Sequence, residues 1–362
     1  MPHKDIREIG KKVESGVRLT GDDALALFAS DDIFTIGELA SSVSSRHNGG
    51  KAYYVRNIHV NPTNICVNRC RFCAFSRSRG EEGAYELSIE EVLERIKAAM
   101  PVEEVHIVGG LHPDWSFEHY LEMIRAIRDG FPGLHVKAFT AAEVDYFGRI
   151  SGKSLAATLD ALRLSGLVAM PGGGAEIFSP EIRKQICPEK LTGERWLEVI
   201  EAAHGAGIKT NATMLYGHLE GPGHRVDHLL KLRELQDKTG GFQAFIPLSY
   251  HPGNTDIGGS GASGLDDLKT IAISRLMLDN FAHIKAYWVM LGEKISQVAL
   301  RFGADDLDGT VMEERITYAT TIGGSEGNQT RRGITEDELR LLIRKAGREP
   351  VRRDCFYNEV GA

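Results

Sequence analysis

The sequence lacks any uninterrupted apolar run of about 18 residues, the length that a membrane-spanning helix needs. The first eight residues contain no apolar core of the kind that a secretory signal peptide carries. Cysteine is scarce, with 5 in 362 residues, which is too few for a disulfide-rich scaffold and suits a reducing compartment. These absences predict a cytoplasmic protein without a membrane span.

Positive charge is also in short supply. The chain has 43 Lys and Arg against 50 Asp and Glu, a formal net charge of −7, so a nucleic-acid partner has no electrostatic support. The remainder of the composition, 42% hydrophobic and 26% charged, is ordinary for a globular protein and provides ample material for a core. The 40 glycines indicate many tight turns.

One pattern recurs along the chain: a short apolar run, a glycine-rich or polar turn, and then an amphipathic helix. The runs predict eight strands, at 57–61, 104–108, 135–139, 167–170, 208–215, 242–248, 284–289 and 298–302. The helical patterns lie at 117–129, 154–164, 193–204, 226–238 and 265–280. Two further helices are predicted to begin at capping boxes, Ser88 with Glu91 and Thr335 with Glu338.

Strands that alternate with helices predict a parallel α/β sheet with right-handed crossovers, and eight units predict a closed (β/α)8 barrel of the TIM type. Residues 1–50 form a helical lead-in with helices at 22–29 and 35–43, residues 51–304 form the barrel, and residues 305–362 form an extension packed on it. We expect one domain overall, with a glycine-rich mobile loop at 323–329.

Three of the cysteines stand close together. Cys66, Cys70 and Cys73 form a C-x3-C-x2-C motif directly after the first predicted strand, at the end where barrel enzymes carry their chemistry. Structural zinc sites take four protein ligands, and iron–sulfur clusters that serve as electron carriers usually take four cysteines. A three-cysteine loop therefore indicates a cluster with one open metal position, where a bound molecule can react.

Two other interpretations of the motif stay open. Cys70 and Cys73 have the C-x-x-C spacing of a redox disulfide. Alternatively, a zinc ion could be completed by a histidine or by the distant Cys187 or Cys355. Neither distant cysteine has a partner at metal-binding spacing, so we interpret both as structural or incidental, with a ligand of a second cluster as the alternative.

The cysteine motif, followed by an aromatic residue on the loop after the first barrel strand, resembles that of the radical S-adenosylmethionine (SAM) enzymes, over residues 50–362. Within that superfamily the chain is most similar to the menaquinone and deazaflavin branch, and there to the aminofutalosine synthases. The matching segments are NICVNRCRFCAF at 64–75, GAYELS at 83–88, GGLHPDW at 109–115, PGGGAE at 171–176, ATMLYGHLE at 212–220 and LSYHPGNT at 248–255.

The resemblance implies that Cys66, Cys70 and Cys73 bind a 4Fe–4S cluster. The unique iron would be chelated by the amino and carboxylate groups of SAM, and one electron would release methionine and a 5′-deoxyadenosyl radical. An external one-electron donor of the flavodoxin or ferredoxin type is implied as a partner.

The resemblance also implies SAM contacts near the cluster. Phe72 is expected beside the adenine, and Gly109 and Gly110 are expected to let the backbone approach the methionine amino group. The acidic residue usual after such a glycine pair is replaced here by Leu111. Packing on the barrel rim and an ordinary tight turn are the structural alternatives.

Four further residues are expected to bind SAM. Glu176 would meet the ribose or the amino group, and Arg195 would pair with the methionine carboxylate. Gly217 and Glu220 match part of a segment that flanks adenine in the superfamily. The alternative for Arg195 is a solvated position on a helix surface.

The implied substrate is 3-[(1-carboxyvinyl)oxy]benzoate, to which the radical adds at the vinyl carbon. The ether then migrates, bicarbonate or CO2 is lost, and 6-amino-6-deoxyfutalosine forms with SAM consumed as a co-substrate. Candidate partners for the two carboxylates lie at strand ends: Arg77, Arg79, His112, Thr140, Tyr250 and His251. Asp305 and Asp306 are candidates for binding water or acting as a base.

Other functions remain open at this point. A sibling enzyme, either the cyclic dehypoxanthinylfutalosine synthase or a deazaflavin (FO) synthase component, would share the barrel and the cysteine loop but abstract hydrogen. A non-catalytic iron–sulfur electron carrier would need a fourth cluster ligand and would not cleave SAM.

Overall fold

The structure, a computed structural model, describes residues 6–320 and 333–361. Its strands are β1 Lys51–Val55, β2 Asn57–Val60, β3 Glu104–Ile107, β4 His135–Ala138, β5 Leu167–Met170, β6 Lys209–Tyr216, β7 Phe242–Ser249, β8 His283–Ile284, β9 Asp306–Gly309 and β10 Glu349–Arg352. Within these ranges no helix combines the length and the apolar content that crossing a bilayer requires.

Helices occupy most of the connections between strands. Their bounds are α1 Ile6–Glu14, α2 Gly21–Ala29, α3 Ile33–Asn48, α4 Ile89–Ala99, α5 Phe117–Gly130, α6 Ala141–Ser151, α7 Leu155–Ser165, α8 Pro180–Ile186, α9 Gly193–Gly205, α10 Pro222–Thr239, α11 Gly264–Met277, α12 Trp288–Ala299 and α13 Glu336–Lys345. The predicted capping boxes are present: Ser88 and Glu91 begin α4, and Thr335 and Glu338 begin α13.

The strands β2 to β8 form one parallel sheet in sequence order, with helices between successive strands. This arrangement confirms the α/β barrel class and the first six predicted strands within one or two residues at each end. Right-handed crossovers place the helices outside and leave the inward side chains of the strands to fill or line the interior.

The two remaining strand predictions need correction. Only Ile284 of the predicted strand 284–289 is in β8, and the predicted strand 298–302 is wrong because α12 runs to Ala299 and a turn follows. A short apolar run such as this one suits a buried helix as well as a strand, so the apolar content alone could not separate the two.

The eighth place in the barrel is taken by the segment 305–312. It bridges to both edges of the seven-stranded sheet, through Lys285 paired with Asp306 and through Ile58 paired with Met312. Backbone hydrogen bonds of 2.8 Å from Ala286 to Asp306 and 2.9 Å from His59 to Met312 accompany these bridges. Strand β9 therefore completes the barrel, although its sequence, DLDG, does not resemble that of a typical strand.

A second, three-stranded sheet has the order β10-β1-β9 and is entirely parallel. It shares β9 with the closure of the barrel, so it joins the start of the barrel region to the end of the chain. The division at residues 50 and 304 stays a prediction, and the loop predicted at 323–329 lies outside the described residues.

Buried ion pairs anchor the closing segment. Arg353 donates to Asp306 at 2.8 Å, and the Tyr357 hydroxyl donates to the same carboxylate oxygen at 2.7 Å. Both charged side chains of the pair are fully buried. Removal of one partner from such a pair leaves the other charge without compensation.

We predict that Arg353→Met lowers the free energy of unfolding by about 3–5 kcal/mol, because Asp306 would remain buried and uncompensated. Urea denaturation followed by circular dichroism measures the change. The matched control is Arg163→Met, at a half-exposed position 3.6 Å from Asp160, which should cost less than about 1 kcal/mol. Equal effects of the two substitutions would contradict this interpretation of the closing segment.

Candidate active site

A cavity of about 320 Å³ opens at the carboxyl ends of the barrel strands and extends into the barrel. All three cysteines of the motif line it, and all five cysteines of the chain are free thiols. The structure thus contains no disulfide between Cys70 and Cys73. Convergence of three thiols on one cavity is the arrangement expected of a cluster-binding loop.

The cysteine loop is held by backbone contacts to neighbouring elements. The Val67 N–H donates to the Leu111 carbonyl at 3.0 Å, and the Arg71 N–H donates to the Ile186 carbonyl at 2.8 Å. Gly110 permits the closest approach, since a Cβ at this position would lie 2.2 Å from the Ile65 carbonyl oxygen. The glycine is therefore required for the loop to pack on the end of β3.

Burial raises the pKa of both the Cys66 and the Cys70 thiols. Thiolates in these positions are unfavourable unless a cation compensates them, which an iron–sulfur cluster does when it binds. In the described ranges no three His, Cys, Asp or Glu side chains are placed close enough to ligate a single metal ion. A cuboidal cluster, in which each cysteine ligates a different iron, suits this donor set better.

Phe72 and Glu176 both line the cavity, as expected, and a residue that the sequence analysis missed connects them. Lys190 donates to Glu176 at 2.6 Å, and its ammonium lies 5.5 Å from the centre of the Phe72 ring. Burial lowers the pKa of Lys190, but the negative charge of Glu176 outweighs it and raises the pKa above its ordinary value. This cation therefore stays charged beside the cysteine loop.

A second missed residue, Glu143, lies beside the glycine pair. Its carboxylate accepts from the Gly109 N–H at 3.0 Å and from the Thr140 N–H at 2.7 Å, where it completes the capping box of α6. Burial raises the pKa of Glu143 to about 7. Helix α6 thus supplies an acidic group to the glycine pair, although Leu111 occupies the usual acidic position after that pair.

Gly109, Gly110, Thr140, Tyr250 and His251 also line the cavity. The Tyr250 hydroxyl bonds to the Thr255 hydroxyl, and His251 Nε2 lies 2.8 Å from the Met290 carbonyl oxygen. Ten of the eighteen predicted site residues thus share one cavity. Their individual roles stay predictions.

The structure does not bring three predicted SAM contacts to the cavity. Arg195 lies on the outside of the barrel, where it pairs with Asp145 at 2.8 Å and with Glu198 at 2.9 Å. Glu220 is buried away from the cavity and accepts from the Gly217 N–H at 2.7 Å. The Glu220 carboxylate and the Arg195 guanidinium both have partners within the protein, so we do not retain these residues as SAM contacts.

Three predicted substrate partners are also engaged elsewhere. Arg77 donates to the Ala74 and Ser76 carbonyls at 2.9 Å, and Arg79 pairs with Asp114 at an exposed position. His112 is buried against Glu86 and outside the cavity. The pairing of Arg79 with Asp114 and of His112 with Glu86 joins residues 35 and 26 positions apart, so it cannot be read from residue types alone.

Asp305 and Asp306 are structural. Arg275 and His283 both contact Asp305 at 2.6 Å, and burial alone would raise the pKa of this aspartate, but these partners lower it. Asp306 pairs with Arg353, as described above. Neither aspartate lines the cavity, so the prediction that they bind water or act as a base is not supported by their location.

The floor of the cavity is lined by charged and polar side chains that the sequence analysis did not select. Six of them are His59, Glu104, His106, Lys137, Lys285 and Asp308. We call this set the floor cluster. A readable signal existed, since β2, β3 and β4 read NIHV, EVHI and HVKA, and His59, His106 and Lys137 are the polar residues at equivalent positions of these strands.

With the site described, the chain can be compared with known proteins. Residues 60–232 match the model of the radical SAM superfamily, and residues 239–360 match the CofH/MqnC C-terminal region. The chain belongs to the radical SAM superfamily and is an enzyme of that class.

Comparison with individual proteins gives a narrower result than the superfamily match. The aminodeoxyfutalosine synthases of Thermus thermophilus and Streptomyces coelicolor are 45% and 43% identical to it, each over 97% of this chain and over 95% and 93% of their own lengths. A 5-amino-6-(D-ribitylamino)uracil–L-tyrosine 4-hydroxyphenyl transferase of Methanopyrus kandleri is 42% identical over 86% of this chain and 85% of its own length. The two synthases support a radical SAM function in the futalosine route, whereas the transferase shows the family alone.

Solved structures agree on the fold. Methylornithine synthase superposes with a TM-score of 0.74 at 18% identity, covering 95% of this chain and 97% of its own. The hydrogenase maturase HydG of Carboxydothermus hydrogenoformans gives 0.74 at 19% identity, covering 97% and 80%. At such identities the likeness establishes the architecture alone.

We predict that Gly110→Ala lowers the iron and sulfide bound per chain severalfold after anaerobic reconstitution. The added Cβ would collide with the Ile65 backbone and displace the cysteine loop. Gly223→Ala is the matched control, because a Cβ there meets nothing within 4 Å. Wild-type iron content in the Gly110 variant would show that the loop does not depend on this contact.

Proposed function

We propose that this enzyme converts SAM and 3-[(1-carboxyvinyl)oxy]benzoate into 6-amino-6-deoxyfutalosine, methionine and CO2 or bicarbonate, in menaquinone biosynthesis. The observation that carries the proposal is near-complete coverage at 45% identity by an aminodeoxyfutalosine synthase, together with three cysteines on one cavity. A cytoplasmic one-electron donor of the flavodoxin or ferredoxin type would serve as the reductant.

The conversion balances without an external oxidant. The bonds that form join the adenosyl C5′ to the vinyl CH2 and the aryl ring to the neighbouring carbon. The bonds that break are the sulfonium C–S bond, the aryl C–O bond and the bond to the departing carboxylate. The initiating electron is returned, so the overall reaction is redox-neutral.

When bound, a 4Fe–4S cluster with SAM would supply the one-electron cleavage that generates the reactive adenosyl group. Cys66, Cys70 and Cys73 would hold that cluster, because they are the thiols that line the cavity. The donor set fits, since the burial that raises the pKa of two of these thiols is offset by metal.

Other residues of the chain would position SAM and keep water out. Gly109 and Gly110 bring backbone to the edge of the cavity, and Phe72 presents a ring there. The Glu176–Lys190 pair places one negative and one positive group beside the cysteine loop, which suits a ligand that carries both an ammonium and a carboxylate.

A second candidate function has a specific observation in its favour. The M. kandleri transferase is 42% identical to this chain, close to the identity of the synthases. We assign this second candidate to the hydrogen-abstracting siblings, which would release 5′-deoxyadenosine, whereas addition incorporates the adenosyl group into the product. Product analysis therefore separates the two candidates.

We predict that anaerobically reconstituted enzyme, dithionite, SAM and the enol ether yield a product with the mass of 6-amino-6-deoxyfutalosine. Mass spectrometry of the quenched reaction detects it. Cys70→Ala should reduce the yield by at least about a hundredfold, because one cluster ligand is lost. The surface variant Arg163→Ala is the control and should retain full yield.

Two results would contradict the proposal. Accumulation of 5′-deoxyadenosine with unchanged enol ether would favour a hydrogen-abstracting sibling. Full adduct formation by the Cys70 variant would show that the cysteine loop is not the source of the chemistry.

A further inference from the structure

The floor cluster lies at the inner end of the cavity, away from the cysteine loop. His59, His106 and Lys137 are direct neighbours in the register of β2, β3 and β4. Asp308, in the closing segment, and Lys285, just after β8, lie on the other side of His59. We call the series Lys285, Asp308, His59, His106 and Lys137 the arc of the floor cluster. The arc therefore carries a lysine at each end and a pair of histidines between them.

Each lysine of the arc has one acidic partner. Lys137 donates to Glu104 at 2.6 Å, and Lys285 donates to Asp308 at 2.5 Å. An ammonium has three N–H donors, and in the described ranges each of these two groups uses one in a hydrogen bond. Donors thus remain available on two lysines that are almost completely buried and line a cavity.

The charge states of the arc follow from its surroundings. Burial alone would raise the pKa of Glu104, but nearby cations, Lys137 first among them, lower it to about 2. Burial lowers the pKa of His59 to about 4 and that of His106 further still. At neutral pH the arc holds two compensated ion pairs and two neutral imidazoles.

The two histidines contact each other through their ring nitrogens. His106 Nδ1 lies 3.2 Å from His59 Nε2, and Asn57 Nδ2 lies 3.5 Å from the same His59 nitrogen and 3.4 Å from Asp308 Oδ2. The other ring nitrogen of His106, Nε2, takes no part in this contact.

Two buried polar atoms of this region have no hydrogen-bond partner within residues 6–320 and 333–361. They are His106 Nε2 and Oδ1 of Asn211, which lines the same cavity and is 3% exposed. Buried polar atoms in folded proteins are almost always satisfied by protein, water or ligand. The floor is therefore incomplete by itself and has the character of a binding site for a polar ligand.

From these observations we propose that Lys137 and Lys285 bind the two carboxylates of the aromatic substrate, one lysine to each. The proposal rests on the proposed function for the identity of that substrate as an aryl dicarboxylate. Two separated ammonium groups suit two separated carboxylates, and the apolar walls of the cavity suit the ring between them. His106 Nε2 and Asn211 Oδ1 would hydrogen-bond with water that accompanies the ligand.

A purely structural role makes a different prediction. If each lysine only neutralises its acidic partner, replacement of a whole pair by neutral residues is close to neutral or stabilising. Such a replacement would leave ligand binding unchanged. Pair variants therefore separate the two roles and avoid the unpaired charge that a single lysine substitution would leave.

The test uses isophthalate, a benzene ring with two carboxylates in the meta relation, and the enol ether itself. Isothermal titration calorimetry on anaerobic, cluster-loaded enzyme with SAM and without reductant gives each Kd. Glu104→Gln/Lys137→Met and Asp308→Asn/Lys285→Met should each weaken binding about 10- to 100-fold, the loss expected for one charge-assisted hydrogen bond.

Matched variants isolate the ammonium groups. Glu104→Gln and Asp308→Asn keep both lysines but leave one ammonium each without its acidic partner. A carboxylate of isophthalate would supply the missing partner, so these variants should bind isophthalate as tightly as wild type or more tightly. Lys209→Met removes a lysine outside the cavity, one that donates to the Gly240 carbonyl, and should leave Kd unchanged. Circular dichroism melting and iron content confirm that each variant is folded and loaded.

Wild-type affinity in both pair variants would overturn the proposal, and so would failure of wild type to bind either ligand. Because the readout is binding, it is independent of product identity. Lysine-dependent binding without adduct formation would refute the proposed function alone, and adduct formation with lysine-independent binding would refute this inference alone.

Discussion

Closure of the barrel depends on three buried aspartates within four residues. Asp305 contacts Arg275 and His283, Asp306 contacts Arg353, and Asp308 contacts Lys285. A buried charge is tolerated only with a partner, so each contact fixes one point of the segment that occupies the eighth place of the barrel. The DLDG strand owes its position to these ion pairs, since it contains few residues that favour β-structure.

The same constraint keeps the interior open. Many barrels fill their centre with layers of branched apolar side chains. Here the inward positions of β2, β3 and β4 carry His59, Glu104, His106 and Lys137, whose hydrogen bonds hold them along the wall. The cavity that remains runs from the cysteine loop at the carboxyl ends of the strands down to the floor cluster.

Much of this could be predicted from the sequence because its signals are local. The capping box at Ser88, the apolar runs of six strands and the spacing of Cys66, Cys70 and Cys73 each depend on residues close together in the chain. The likeness of the cluster motif to the radical SAM enzymes was confirmed by the family comparisons. Gly110 makes a close backbone approach to the Ile65 carbonyl, whereas its expected approach to the methionine amino group of SAM stays a prediction.

The remaining features depend on partners that are distant in sequence. Arg195 was expected at SAM, but Asp145, fifty residues away, holds it outside the barrel. Glu143 reaches the cavity from α6, and Lys190 reaches it from the turn after α8. No local sequence pattern indicates that these two side chains lie at the cavity. The apolar stretch that ends at Ala299 suited a strand or a helix equally, and packing decided for the helix.

The account centres on three cysteines holding a cluster whose fourth iron is free for SAM. Electron paramagnetic resonance of the anaerobically purified, dithionite-reduced enzyme, recorded with and without SAM, tests this most directly. We expect a reduced 4Fe–4S signal whose g-values shift when SAM is added. A protein that contains zinc instead, or a cluster signal indifferent to SAM, would contradict the account.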